Sequence, residues 1–236
     1  YLFETIAGYD RDDPSCVNVE SEDPTMSSED LRGVRIAVLR GYFEDKVDEE
    51  ILRAVNSAGD QLRATGATVV ERELDDAGEF FAVNRVILRV EAAAYHREWL
   101  QTRTDEYGKD VLARLNNAAS IKAEDYALAK RKQVELRRYL ENFLDDLDAI
   151  IVPGTRIAAP KLGSLDPVML AEHLTAFTGP FNVTGVPALA LPCGFTRTGL
   201  PIGMQIVGRP WDERMTLQIG RIYQNQTDWH IRTPGL

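Results

Sequence analysis

Cysteine and histidine are both scarce in this 236-residue chain, and their placement rules out more than their number does. Cys16 and Cys193 form no Cys-x-x-Cys pair, which favours a reducing, cytoplasmic compartment. His96, His173 and His230 are scattered without ligand spacing, so no metal is expected, and nothing calls for an organic cofactor. No apolar run approaches the roughly 18 residues that suggest a membrane span. Excess positive charge is missing too. With 27 Lys and Arg against 37 Asp and Glu, the formal net charge is −10, which argues against a nucleic-acid partner. The most basic stretch, Lys130-Arg131-Lys132 with Arg137-Arg138, is interleaved with Glu135 and Glu141 at helical spacing and reads as a solvated helix face. The opening residues, Tyr1 to Asp10, lack an initiating Met and are no signal peptide. They read like the tail of a helix that begins elsewhere, so the chain is expected to be cut.

What is present fits a soluble α/β body. A content of 44% hydrophobic and 27% charged residues is ordinary for a globular chain, and the length suffices for one good core. Residues 10–30, rich in Asp, Ser and Pro, read as a surface connection, so 1–30 is taken as a connecting segment and 31–236 as the body. Val34–Leu39 is a buried strand by composition. Asp48 then stands where it could cap a helix carrying Ile51, Val55, Ala58 and Leu62 on one stripe, ended by Gly66. Ala67–Val70 follows as a strand, which makes a βαβ unit with a parallel pair. Residues 76–100 are predicted helical, with Phe80, Val83, Ile87, Val90 and Ala94 inward. A second long helix is predicted over Ala123–Leu147, with Ala129, Leu136, Leu140, Phe143 and Leu147 inward. Ala149–Val152 is a short strand, 155–166 a loop, Asp166-Pro167 a helix start, and Glu213–Gln226 an amphipathic helix.

Residues 178–208 are the most distinctive. Two apolar runs, Ala188–Leu191 and Ile202–Val207, are each bounded by Pro and Gly and joined through a turn at Gly194–Gly199, a pattern of two buried strands. The wording Pro-Phe-Asn-x-x-Gly-x-Pro-Ala-x-x-x-Pro-Cys-Gly-Phe, then Gly-Leu-Pro-Ile-Gly-x-Gln-x-x-Gly, resembles the closing segment of the amidase signature family. Gly8-Tyr9-Asp10 with Asp13-Pro14, Tyr107-Gly108, Tyr126-x-x-Ala129, Arg137 and Asp148-x-x-x-x-Pro153 match weaker landmarks of that family. The resemblance implies a central mixed β-sheet covered by helices and hydrolysis of carboxylic amides by a Ser–Ser–Lys triad. That triad sits in a Gly-Ser-rich loop whose glycines let backbone amides reach a developing oxyanion.

No such loop occurs in this sequence. Its one adjacent serine pair, Ser27-Ser28, is followed by Glu29-Asp30 and reads as a capping or turn segment. No catalytic residue is therefore expected within the chain, and the chain alone is expected to be inert. The substrate side remains. Arg114 stands where the glutamine-using amidotransferase subunit of the family places an Arg toward the substrate carboxylate, a task that suits a guanidinium fork; a surface Arg on a helix is the other reading. The acid that would face an α-ammonium is replaced by Thr175, which turns the reading toward a general amidase. Phe177, Thr178 and Asn182 lie on the loop the family packs near its site, although core packing explains Phe177 equally well and capping the next turn is the commoner use of an Asn such as Asn182. Gln205, in an apolar strand, either braces that loop or ends at a sheet edge. Cys193 reads as a structural thiol.

The expected function is thus the C-terminal portion of an amidase acting through a Ser acyl-enzyme. The alternatives are the A subunit of a tRNA-dependent amidotransferase and an inactive assembly chain. Expected partners are a small amide and the missing N-terminal half or an equivalent chain, with self-association into a homo-oligomer left open. The edge beside Ala188–Leu191 and Ile202–Val207 is expected to be unpaired.

Overall fold

The computed structural model describes residues 2–19, 29–164 and 166–233. The Ser27-Ser28 turn lies outside them. After a short exposed helix, α1 (Leu2–Ile6), the first apolar run becomes β1 (Arg35–Arg40), whose four central residues are all buried. A strand buried on both faces reads as a continuous apolar run rather than an alternation. Helix α2 (Glu49–Ala64) buries Ile51, Val55, Ala58 and Leu62 along the predicted stripe, and β2 (Thr68–Glu73) pairs parallel to β1. Asp48 precedes α2 but makes no side-chain cap. Its carboxylate instead accepts from the Ala158 amide at 3.3 Å, because the loop after the third strand docks on this end of the helix.

Helix α3 (Ala77–Tyr95) buries Ala77, Phe80, Val83 and Ile87. Val90 is only half-buried and Ala94 is exposed, so the apolar stripe outruns the core by two turns. Two short helices that periodicity did not reveal follow, α4 (Trp99–Thr102) and α5 (Lys109–Asn116). Helix α6 (Ala123–Phe143) stops before Leu147, which is buried in the turn leading to β3 (Ala149–Pro153). Helix α7 (Pro167–Thr175) then turns into α8 (Gly179–Thr184), where a loop was expected. Strands β4 (Ala188–Phe195) and β5 (Pro201–Gly208) form a hairpin with a register shift between Pro192 and Gly194, and α9 (Glu213–Asn225) follows.

The five strands make one mixed sheet in the order β2-β1-β3-β5-β4: β1 is parallel to β2 and β3, while β5 is antiparallel to β3 and β4. Alternation along the strands sorts the core into two layers. Ile36, Val38, Ile151 and Ile206 face α2 and α9, whereas Ala37, Leu39, Ile150 and Val152 face α3, α6 and α8. Burying each Leu, Ile, Val or Phe contributes about 1.5–3 kcal/mol before chain entropy is counted. The two outer strands differ. β2 ends in Glu71, Arg72 and Glu73, the charged chemistry that blunts a sheet edge, whereas β4 carries no charge. β5 is interior, so of the two runs expected at an edge only β4 is there, and no strand among the described residues pairs with its outer side.

Candidate substrate pocket

A cavity of about 310 Å³ opens between α3, α5 and α7. Helix α3 supplies Phe81, Arg85, Leu88 and Arg89, a second stripe at four- and three-residue steps beside its core stripe. Helix α5 turns Val111, Arg114 and Leu115 to the same space; its acidic start at Asp110 and basic end at Arg114 suit the helix dipole and place the two four residues apart. Helix α7 adds Ala171, Glu172 and Thr175. The walls are mainly apolar, and the charged groups stand at intervals among them.

Two of the residues singled out from sequence, Arg114 and Thr175, line this cavity although sixty-one positions separate them. Arg114 Nη2 lies 3.2 Å from Asp110 Oδ2, with both side chains partly exposed. The Thr175 hydroxyl donates to the Ala171 carbonyl at 2.7 Å. Phe177, Thr178 and Asn182 are not among the lining groups. Phe177 is fully buried, its ring centroid 5.2 Å from that of Phe43 and 5.8 Å from that of Tyr42, with the Arg156 guanidinium 5.3 Å above it. The Thr178 hydroxyl donates to the Thr175 carbonyl at 3.2 Å, which ties the turn between α7 and α8. Asn182 is exposed on α8.

The distinctive wording of 178–208 maps onto support for this wall. Gln205 Nε2 donates to the Phe177 carbonyl at 3.0 Å and to the Pro153 carbonyl at 3.2 Å, so it braces the turn into α8. The last carbonyls of α8 are taken by α6: Gln133 Nε2 donates to Val183 at 2.9 Å and Arg137 Nε to Thr184 at 2.9 Å. Gly185 ends α8 at φ +75°, a left-handed position that glycine occupies without a Cβ penalty. A Cβ on Gly179 would stand 2.7 Å from Phe81 Cδ2, so this glycine lets α8 rest directly on the cavity helix α3. Asp148 accepts from the Arg35 amide at 2.7 Å and lies 3.1 Å from Arg209 Nη2, a tie between strands rather than a site contact.

Cys193 is 3% exposed, and burial pushes its thiol up to about 12, which excludes a thiolate nucleophile at neutral pH. Among the described residues no group of three His, Cys, Asp or Glu is placed to hold a metal ion, and no helix is long and apolar enough to cross a membrane.

The family model for amidases matches residues 1–217. The chain belongs to the amidase family. An amidase of Pseudomonas putida is 34% identical over 249 residues, covering all of this chain and 52% of the relative. The A subunit of glutamyl-tRNA(Gln) amidotransferase from Chloroflexus aggregans is 32% identical over 260 residues, covering 100% of this chain and 53% of that protein. The solved A subunit from Thermotoga maritima superposes with a TM-score of 0.81 at 25% identity, over 96% of this chain and 50% of that one. The chain therefore spans about half the length of the amidase relatives it matches. The mixed sheet with covering helices is the architecture of these amidase-family neighbours.

Sequence reasoning missed Arg85, Arg89 and Glu172 as cavity groups. The available signal was the i, i+4 and i+7 spacing of Phe81, Arg85 and Leu88 beside the core stripe of α3. For Glu172 it was its place one helical turn before Thr175.

Proposed function

We propose that the complete protein carrying this chain hydrolyses carboxylic amides through a serine acyl-enzyme, with the nucleophile, its partner serine and the lysine base outside this sequence. The observation that carries this reading is the amidase match over residues 1–217. The chain's own contribution is the substrate side. The cavity between α3, α5 and α7 receives the acyl part of the amide against its apolar walls, with Arg114 and Thr175 on its lining. The uncharged outer side of β4 is where the remaining part of the domain adds to the sheet, so that its backbone groups are paired. Two free cysteines, Cys16 and Cys193, support a cytoplasmic setting.

The test is hydrolysis of a panel of amides by the complete protein, with and without Val111→Trp. Val111 lines the cavity from a 42% exposed position, so the larger ring fills the space without entering the core. Filling it should lower kcat/KM by about tenfold or more for bulky amides and spare the smallest. Unchanged kinetics would remove the cavity from the substrate path, and absence of any amide turnover would remove the amidase reading itself.

One observation favours the amidotransferase reading. The position expected to carry an acid holds Thr175, but Glu172 lines the same cavity one turn earlier. Glu172 Oε2 is 3.9 Å from Arg85 Nη1 and is therefore already near a cation. Ammonia release from glutamine separates the two readings, and the general amidase reading expects none.

A further inference from the structure

Three guanidinium groups line the cavity, those of Arg85, Arg89 and Arg114, against one lining carboxylate, Glu172. Two of the three have acids nearby: Arg114 is 3.2 Å from Asp110 and Arg85 is 3.9 Å from Glu172. Arg85 also lies 5.6 Å over the Phe81 ring. Arg89, half-buried one turn along α3, forms no ion pair with a carboxylate of the described residues. Burial, and after it the like charge of the neighbouring Arg85, lowers its hold on its proton. A guanidinium nevertheless stays charged at neutral pH. Such a cation, partly withdrawn from water and beside a like charge, is unfavourable until an anion joins it.

The surroundings of Arg89 select the anion. Leu88, Ala92, Val111 and Leu115 give apolar wall, which suits a carboxylate carried on an apolar skeleton better than a bare hydrated ion. At roughly 30 Å³ for a water-sized group, the cavity admits on the order of ten heavy atoms. We infer that the preferred substrates are amides bearing a carboxylate on a small apolar skeleton, and that Arg89, rather than Arg114, pairs with that carboxylate. The inference rests on the amidase reading of this same cavity. It moves the recognition of charge from α5 to α3 and leaves Arg114 as a wall residue held by Asp110.

The experiment compares two amides of one skeleton in the complete protein, one ending in a carboxylate and one in a methyl group. Wild type should prefer the anionic amide. Arg89→Leu should raise KM for it by about tenfold to a hundredfold more than for the neutral amide, with an unfolding curve matching wild type as the check that the variant is folded. Arg89→Lys should recover part of the loss, because a point charge replaces the fork. Arg89→Glu should turn the preference toward an amide ending in an ammonium. If Arg114→Leu gives the selective loss and Arg89→Leu does not, the inference is overturned while the cavity keeps its role. Equal loss on both amides from Arg89→Leu would mean a structural role and would also overturn it. So would an Arg89–carboxylate ion pair within the complete protein. If Val111→Trp affects neither amide, the failure belongs to the cavity reading instead.

Discussion

The hairpin β4–β5 with the helix α8 before it, and the cavity walls on α3, α5 and α7, are built on opposite principles. The first region carries the family wording, and in the structure those residues do mechanical work: Gln205 holds two carbonyls, Gly179 permits close packing on α3, and Gly185 ends α8 in a left-handed turn. Its neighbours serve the same end, since Arg137 of α6 holds the Thr184 carbonyl and Phe177, just ahead of α8, fills the core. The second region has no motif, and its charged residues remain partly exposed. A residue whose neighbours fix its shape leaves a sharp trace in sequence. A residue facing a cavity is constrained by what enters it, and one chain alone does not spell that out. The family wording thus reports the scaffold, while the cavity proposed to set specificity lies beside it.

The largest test of that division is Phe177. With its ring among Phe43, Tyr42 and Phe181 and no exposure, Phe177→Ala should cost about 3–5 kcal/mol in urea unfolding. Phe177→Leu should recover most of it. A cost under about 1 kcal/mol, paired with a KM defect, would place Phe177 with the cavity and break the comparison.

Gln205→Leu comes next. The substitution leaves the Phe177 and Pro153 carbonyls without their side-chain donor in a site where Gln205 is 5% exposed. A cost of about 1–3 kcal/mol is expected, read as a lowered Tm. An unchanged Tm would mean that those carbonyls do not depend on Gln205.

Alkaline titration gives a third effect on the scaffold side, one that grows with pH. The Cys193 thiol has an ordinary value of 9.0 and is pushed up to about 12 by burial, and burial likewise raises Tyr223 beside it. Above about pH 9 the unfolded chain releases the thiol proton while the folded chain keeps it. Stability is therefore full below that pH and falls as pH rises toward 12, by at most about 1.4 kcal/mol per unit for this group. Cys193→Ala should flatten this limb in unfolding curves measured from pH 8 to 11. An equally steep limb in the variant would assign it elsewhere.

The same contrast explains what could be read in advance. Strands β1 and β3 and helix α2 were legible because apolar residues at fixed periods have one physical use, burial against the sheet. Helices α5 and α8 were missed because eight and six residues give too few turns for a period, and α8 is tied down by tertiary bonds from Gln133 and Arg137 that no local pattern announces. Thr178 and Asn182 were placed near the site through their position in the family wording, yet that part of the wording forms the turn into α8 and α8 itself, and the side chains lie off the cavity lining. Arg89 was invisible for a different reason. A half-buried arginine on a helix looks like any solvated arginine until the helices around it are in place.

The smallest expected effect on stability is that of Arg114→Ala, and it sharpens the comparison from the cavity side. The Arg114–Asp110 pair joins two partly exposed groups at 3.2 Å, four residues apart on one helix. Pairs of this kind contribute about 0.3–0.5 kcal/mol, and the position of Arg114 in the last turn of α5 adds a similar dipole term. Both are screened by salt, so the difference between wild type and variant should shrink between low and 1 M salt. Unfolding curves that nearly superimpose, beside altered amide kinetics, would mean that the cavity wall has been tuned without disturbing the scaffold that supports it. A loss above about 2 kcal/mol would show instead that Arg114 holds α5 in place, and the wall would then belong to the core after all.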